Sequence, residues 1–257
     1  MRIKEWLRLF IPSQIHWLPR YYTLFKKVDF RNERSILDAG CGEGIVVKEL
    51  MDRKLKACGV DISPRSIEKA QKNYGKDFFL TADVCHLPFK NETFSLIYSL
   101  DVLESVKDIG CAFREFNRVL KPGGRLVIHV AQVYTNSAML FSAQRVLRKL
   151  VPAFLRTYSF SGNKSWFNIT DEQMKEHFGH VKIYSLDELM DISREFFTVS
   201  HWDSSIKLFA ALATDITYGI KGFHYLRPLF FGVAVRLDWY LFKKMPGYAL
   251  FVEFVKK

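Results

Sequence analysis

Short apolar runs alternate with helical stretches between residues 35 and 131. Five of these runs are typical of buried strands: "SILDAG", "KACGVDIS", "FFLTAD", "TFSLIYS" and "RLVIHVAQ". Apolar residues at helical spacing predict helices over Ile45–Arg53 and from Pro64 to about Asn73, with Ser63 as the N-cap. "IGCAFREFNRVL" predicts a third helix, closed by "KPGG". Strands that alternate with helices in this way predict a parallel sheet with right-handed crossovers.

The pattern changes after residue 133. "SAMLFSAQRVLRKLV" predicts a basic amphipathic helix, and "SLDELMDISREF" predicts a helix with Ser185 as its cap. "FFTVSHW" and "YALFVEFVKK" predict two late strands, separated by an apolar, largely helical stretch over residues 205–245. The predicted fold class is therefore α/β, doubly wound, with ligands bound beyond the carboxyl ends of the strands.

Basic charge is concentrated at the two ends of this 257-residue chain, whose formal net charge is +11. Residues 1–34 hold 8 Lys and Arg against 3 Asp and Glu, and residues 201–257 hold 8 against 4. Both ends are also rich in aromatic residues and leucine. Because basic and large apolar residues are interleaved, these ends suit an anionic membrane surface or a hydrophobic substrate, and no nucleic-acid partner is expected.

The four cysteines form no C-x-x-C pair, so reduced thiols and a cytoplasmic location are expected. Charges interrupt the apolar runs of the N-terminus, which argues against a secretory signal. The longest apolar candidate, "LFFGVAVRLDWYLF", contains Arg236 and Asp238 and falls short of the ~18 apolar residues of a spanning helix. The protein is thus expected to lie on a membrane surface at most, as a peripheral protein.

A glycine-rich loop follows the first predicted strand in "ILDAGCGEG", residues 36–44. Its glycines run G-x-G-x-G, whereas a dinucleotide site needs G-x-G-x-x-G, and no Gly-Lys-Ser/Thr follows to make a phosphate-binding P-loop. Asp38 and Glu43 would also repel a pyrophosphate. The loop therefore favours a nucleoside ligand that carries no phosphate.

S-adenosylmethionine satisfies these conditions, because it has a sulfonium and an ammonium group against a single carboxylate. Asp61 ends the second predicted strand, where an acid can accept both ribose hydroxyls. Asp83 ends the third, where it can accept a hydrogen bond from the adenine amino group.

These segments resemble the class I S-adenosylmethionine-dependent methyltransferases, and most closely their ubiquinone/menaquinone-biosynthesis-like branch. "LDAGCGEG" is similar to the family's first motif, "GVDIS" to its ribose acid, and "ADVCHLPFKNETFSLIYS" to its adenine loop and fourth strand. "LDVLESVKD" and "EFNRVLKPGGRLVI" are similar to the segments around the fourth and fifth strands. The resemblance covers about residues 35–131.

The resemblance implies a Rossmann-like sheet of seven strands, mostly parallel with a reversed last strand, and S-adenosylmethionine as the cofactor. It implies a methyltransferase domain over residues 35–257 with cap insertions at about 134–168 and 205–245, preceded by a lid or membrane-surface segment over residues 1–34. It also implies a set of cofactor-binding residues at the strand ends: Asp38, Gly40, Gly42, Asp61, Ile62, Asp83, Val84 and Ser99.

The candidate catalytic residues are Asp101, Glu104 and His86, which follow the third and fourth strands where a transferred methyl group would pass. Many relatives have His after the "LE" pair, whereas Ser105 follows Glu104 here. His129 lies within a buried-type strand and is interpreted as structural. No metal site is predicted, since His177 and His180 have no further ligand cluster around them.

Three functions fit this sequence. The first is a methyltransferase acting on a hydrophobic or lipid-linked small molecule, because aromatic residues are frequent in the predicted cap. The second is a methyltransferase of a soluble metabolite, with the aromatic residues as ordinary core. The third is a methyltransferase-like protein that binds a partner without catalysis. The sequence does not identify the acceptor atom or the oligomeric state.

Overall fold

The computed structural model describes residues 24–25, 27–131, 181–205, 237, 240 and 249–257. The predicted amphipathic helix of residues 137–151 lies outside the described residues. So do residues 1–23 and 26 of the N-terminal segment and nearly all residues of both predicted cap insertions. The predicted domain boundaries therefore stay predictions.

The chain divides into two compact units, and the sheet belongs almost entirely to one of them. That unit combines Lys27–Gln132, His180–Asp203 and Leu250–Lys257. The other unit, most of which lies outside the described residues, comprises Met1–Lys26, Val133–Gly179 and Ser204–Ala249.

Seven strands and four α-helices make up the described structure. In chain order they are β1 (Ile36–Ala39), α1 (Ile45–Asp52), β2 (Ala57–Asp61), α2 (Pro64–Tyr74), β3 (Phe79–Thr81), β4 (Phe94–Leu100), α3 (Ile109–Val119), β5 (Leu120–Ala131), α4 (Leu186–Ser193), β6 (Phe197–Ser205) and β7 (Ala249–Lys256). Short 3₁₀ turns cover Lys76–Phe78 and Leu103–Ser105. None of the helices in these described ranges is long and apolar enough to cross a membrane.

The strands form one sheet in the order β3-β2-β1-β4-β5-β7-β6. The pairs β1–β2, β1–β4, β2–β3 and β4–β5 are parallel. Since β2 and β3 lie on one side of β1 and β4 and β5 on the other, the strand order reverses between β1 and β4. The crevice at this switch point is where ligands bind in sheets of this type.

The last strand runs against its neighbours. Strands β6 and β7 are antiparallel, because residue numbers increase along β6 as they decrease along β7. Thr198 Oγ1 donates to the Val255 carbonyl at 3.4 Å, and Ser200 Oγ donates to the Glu253 carbonyl at 3.1 Å. At the other edge of β7, Lys256 Nζ reaches the carbonyl of Leu120, the first residue of β5, at 2.8 Å. The predicted seven-stranded α/β fold with a reversed last strand is confirmed.

Helices α2 and α4 begin after the capping residues that the sequence indicated. Ser63 Oγ accepts the N–H of Ser66 at 3.3 Å, and Pro64 occupies the first position of α2. Ser185 and Glu188 form a reciprocal capping box at α4, with bonds of 3.2 and 2.9 Å.

The sequence analysis predicted that "KPGG" closes the third helix as a turn, whereas the structure places this segment within β5. Phe94 of β4 pairs with Leu120, whereas Leu96 pairs with Arg125, so Lys121–Gly124 bulge out between two paired positions. Gly123 supplies the positive φ of 69° that such a bulge needs.

The core lies between the sheet and its helices. Helix α3 buries one face at positions spaced by three and four, and Phe113 on that face packs edge-on against Phe254 of β7 and Phe197 of β6, with ring centroids 5.8 and 6.0 Å apart. This packing holds the reversed strand against the parallel part of the sheet.

Candidate active site at the switch point

The loop after β1 is shaped by three glycines with positive φ: Gly40 (93°), Gly42 (52°) and Gly44 (80°). A Cβ placed on Gly40 would lie 2.1 Å from Cγ2 of Val102, in the loop after β4. Gly40 is therefore required for the β1 and β4 loops to meet. A Cβ on Gly42 would meet no atom of the described residues within 4 Å, so among these residues the backbone there borders open space that a ligand can occupy.

The acid at the end of β2 also organises this loop. Asp61 Oδ2 accepts the N–H of Gly42 at 2.8 Å, and Oδ1 accepts the N–H of Ser63 at 2.9 Å. The predicted ribose-binding carboxylate is thus held in place by the glycine loop and by the start of α2. Its neighbour Ile62 is 71% exposed, an apolar side chain at the rim of the site.

The two other acids of the first motif have different surroundings. Glu43 forms an ion pair with Lys69 of α2 at 2.6 Å, which connects the loop to that helix. Asp38 is buried in β1, in register with Gly59 of β2 and Tyr98 of β4. Lys69, the described cation that contacts this loop, is thus engaged by a carboxylate of the loop itself.

The half-buried thiols of Cys41 and Cys58 lie beside Asp38. Burial raises the pKa of the Cys58 thiol to about 12, and the negative charge of Asp38 adds to the rise. Burial likewise raises the pKa of Cys41, with further contributions from Asp38 and Asp61. Both groups therefore stay neutral at physiological pH.

At the end of β3, Asp83 Oδ1 accepts the N–H of Cys85 at 2.9 Å, while Val84 is buried. His86, a candidate base, is 86% exposed, with Nδ1 3.9 Å from Asp83 Oδ2.

The expectation of reduced cysteines is wrong for one pair, because Cys85 is joined to Cys111 of α3 by a disulfide. Two cysteines 26 residues apart carry no spacing signature from which this pairing could have been predicted.

The end of β4 lies against the glycine loop. Ser99 is buried, and its Oγ donates to the Ala39 carbonyl at 2.9 Å, which fixes β4 to β1. Asp101 follows with φ of 55°, a conformation that costs an L-residue about 1–2 kcal/mol. Its N–H donates to the His129 carbonyl at 2.8 Å, and its Oδ1 lies 2.5 Å from His129 Nδ1.

Glu104, the other acid proposed for catalysis, is fully buried. Its Oε1 accepts the N–H of Ala131 at 2.5 Å, and its own carbonyl accepts the N–H groups of Val181 at 2.6 Å and Lys182 at 3.2 Å. Glu104 thus joins the β4 loop to the end of β5 and to the segment before α4. Of these two acids, Asp101 is the one with an exposed carboxylate, at 36%.

The predicted residues come together at one edge of the sheet. The loops after β1, β2, β3 and β4 are neighbours there, and they carry Asp61, Asp83 and Asp101. The sequence analysis assigned His129 a structural role only. Its one sequence signal was that it is a polar residue in an apolar strand, and the structure places it against Asp101. No group of three or more His, Cys, Asp and Glu side chains among the described residues is placed to hold a metal ion.

The site fits S-adenosylmethionine on its own chemistry. Open space lies against the Gly42 backbone, and the carboxylates around it suit a ligand with a sulfonium and an ammonium group and no phosphate. The sheet order with reversed β7 and this switch-point site together define the class I methyltransferase fold.

Comparisons with known proteins agree with this class. Residues 37–128 match the family model described as a methyltransferase domain. The chain is 34% identical over 111 residues to malonyl-[acyl-carrier protein] O-methyltransferase of Legionella pneumophila, covering 40% of this chain and 39% of that protein. It is 28% identical over 110 residues to sterol 4-C-methyltransferase strm-1 of Caenorhabditis elegans, covering 40% and 33%. The chain thus spans about two fifths of the length of the curated relatives it matches.

Solved structures show the same fold over more of the chain. A Thermotoga maritima S-adenosylmethionine-dependent methyltransferase superposes with a TM-score of 0.56, at 19% identity, covering 99% of this chain and 96% of that one. Residues 37–128 therefore match a methyltransferase domain, and the described sheet has the class I methyltransferase fold that the motifs predicted.

Proposed function

We propose that this protein is an S-adenosylmethionine-dependent methyltransferase acting on a hydrophobic or lipid-linked small molecule. The observation that carries the proposal is the hydrogen bond from the Gly42 N–H to Asp61, which holds a ribose-binding acid beside a glycine loop with open space along its backbone. The cofactor supplies a methyl group already activated by its sulfonium. The protein's task is to bind, orient and exclude water.

Each part of the cofactor has a matching group in the proposal. Asp61 accepts hydrogen bonds from the ribose hydroxyls, and Asp83 accepts one from the adenine amino group. Ile62 provides an apolar surface next to Asp61, because its side chain is largely exposed. The backbone from Gly40 to Gly42 borders the amino-acid portion, while Asp38 and Glu43 favour its positive charge.

The acceptor is proposed to be hydrophobic for two reasons. The ends of the chain and the predicted cap insertions are rich in aromatic residues, with basic charge interleaved. One relative is named as a methyltransferase of a sterol, which is a hydrophobic acceptor. We further propose that the protein works in the cytoplasm, peripherally on an anionic membrane surface.

A tritiated-methyl transfer assay against lipid and soluble extracts of the source cell tests this function. Label in the organic phase supports the hydrophobic acceptor. Label confined to the aqueous phase favours the soluble metabolite instead. Cofactor binding by calorimetry without transfer to either extract indicates a binding protein, and absence of both cofactor binding and transfer contradicts the methyltransferase proposal itself.

A further inference from the structure

Asp101 and His129 form a pair across two neighbouring strands. Asp101 comes directly after β4, and His129 lies near the carboxyl end of β5. Two contacts join them: the ring Nδ1 of His129 lies 2.5 Å from Asp101 Oδ1, and the Asp101 N–H donates to the His129 carbonyl at 2.8 Å. The backbone and the side chain of Asp101 are therefore both fixed by the same residue.

The two members of the pair differ in exposure. The carboxylate of Asp101 is 36% exposed, whereas the side chain of His129 is 2% exposed. A ligand that enters from solvent can therefore touch Asp101 but not His129. The next residue in the chain, Val102, packs against Gly40 of the glycine loop. The Asp101 carboxylate therefore lies at the switch point between β1 and β4.

The backbone of Asp101 supports a functional interpretation. Among the described residues, three non-glycine residues have positive φ: Lys54, Glu92 and Asp101. Only Asp101 of these three lies in a strand-end loop of the site. A strained conformation held by specific hydrogen bonds is typical of functional positions.

We infer that Asp101 is the proton acceptor for the methylated group and that His129 is its positioning residue. This inference rests on the proposed function and names the acceptor chemistry: a hydroxyl or an amine that carries a transferable proton. A carboxylate acceptor is disfavoured, since it would have to approach the negative charge of Asp101.

The reaction at this pair balances without another reagent. The acceptor oxygen or nitrogen forms a bond to the methyl carbon as the bond from that carbon to sulfur breaks, and the sulfur keeps the electron pair as a neutral thioether. The proton of the acceptor passes to the Asp101 carboxylate, which later releases it to water. The Nδ1–H of His129 donates to Asp101 Oδ1 and holds the carboxylate in the orientation that receives the proton.

Nuclear magnetic resonance tests the pair without any turnover. In full-length protein with S-adenosylhomocysteine, the His129 Nδ1–H proton is expected downfield and slow to exchange with water. Asp101→Asn should shift it upfield or abolish it, whereas Asp77→Asn, at an exposed position, should leave it in place. An unchanged resonance in Asp101→Asn overturns the pairing.

The chemistry of the product tests the acceptor class. Methyl esters of carboxylates release volatile tritiated methanol in base, whereas methyl ethers and N-methyl amines do not. The label transferred to cell extract is expected to be base-stable, and base-labile label overturns the inference. Absence of transfer counts against the proposed function, and the resonance experiment still decides the pair.

Kinetics separate positioning from folding. His129→Leu should lower kcat about 10- to 100-fold with little change in KM, because the Asp101 carboxylate loses a contact that orients it for proton transfer. His129→Asn keeps a donor near the Nδ1 position and should restore part of kcat. His201→Asn, at an exposed site on β6, is the matched control. Equal kcat losses in the Leu and Asn variants, in step with equal losses of thermal stability, overturn the positioning role.

Discussion

The carboxylate of Asp61 accepts the backbone N–H of Gly42 at 2.8 Å, so the acid at the end of β2 holds the glycine loop that follows β1. A second bond from the Ser63 N–H, at 2.9 Å, fixes the same carboxylate to the start of α2. One side chain thus positions both edges of the site. Its substitution should therefore affect the cofactor site twice, through lost ligand contacts and through a looser loop.

Replacing Asp61 with Ala is expected to weaken S-adenosylmethionine binding by about 2–4 kcal/mol, because charge-assisted hydrogen bonds to the ribose are lost. Isothermal calorimetry on the folded variant measures this change. Asp61→Asn, which keeps the shape and one acceptor oxygen, should lose less. Asp77→Asn serves as the matched control, and an affinity unchanged in Asp61→Ala would refute the ribose assignment.

Two glycines of one loop are expected to respond differently to the same change. Gly40→Ala should lower the free energy of unfolding by about 2–4 kcal/mol, since its Cβ meets Val102 and its φ is positive. Gly42→Ala should cost only about 1 kcal/mol of stability, yet weaken cofactor binding, because its Cβ enters the open space beside the loop. Thermal unfolding and calorimetry together check the contrast. Equal stability losses in the two variants would contradict the close approach of Gly40 to Val102, and full affinity in Gly42→Ala would show that the loop does not border the ligand.

The buried thiols should resist alkylation in the native protein. Burial, aided by Asp38, raises the pKa of Cys58 to about 12, so little thiolate exists at pH 8. Stability from this neutral thiol is present below the unfolded pKa of about 8.5 and is lost as the pH rises toward the folded value. Mass spectrometry after iodoacetamide treatment should show Cys41 and Cys58 unmodified in native protein and modified in denaturant. Rapid native modification at pH 8 would contradict the raised pKa values of these two half-buried thiols.

Most of the described fold could be predicted from hydrophobic periodicity and caps. Ser63 with Pro64, and Ser185 with Glu188, each combine a side-chain acceptor with a helical pattern, so the helix starts matched the structure. The KPGG segment was misassigned because glycines are typical both of a turn after a helix and of a bulge inside a strand. The sequence does not distinguish these two structures.

The site was predictable only in part. Asp61 and the glycine loop follow from strand ends and local spacing, which a sequence displays directly. The Asp101–His129 pair and the Cys85–Cys111 disulfide depend on which strands and helices become neighbours, across 28 and 26 residues, and no local pattern encodes that. The roles assigned to the catalytic and cofactor residues stay predictions.

Membrane association is expected from the basic, aromatic ends of the chain. Each Lys or Arg near an anionic surface adds about 1 kcal/mol, screened over about 8 Å at physiological salt. The protein should therefore co-sediment with phosphatidylserine vesicles at low salt, and less with phosphatidylcholine vesicles. Removing residues 1–20 should reduce this binding more than it reduces cofactor affinity. If the full-length protein ignores anionic vesicles at low salt, the peripheral-membrane proposal is wrong.

Calorimetric titration of the full-length protein with S-adenosylmethionine, and in parallel with NAD, distinguishes a site for the methyl donor from a dinucleotide site. We propose that Asp61 and Asp83 bind the nucleoside, and that Asp38 and Glu43 beside the glycine loop disfavour a pyrophosphate. The protein is expected to bind S-adenosylmethionine saturably and to show no binding of NAD. Binding of NAD, or no heat from S-adenosylmethionine, would contradict it.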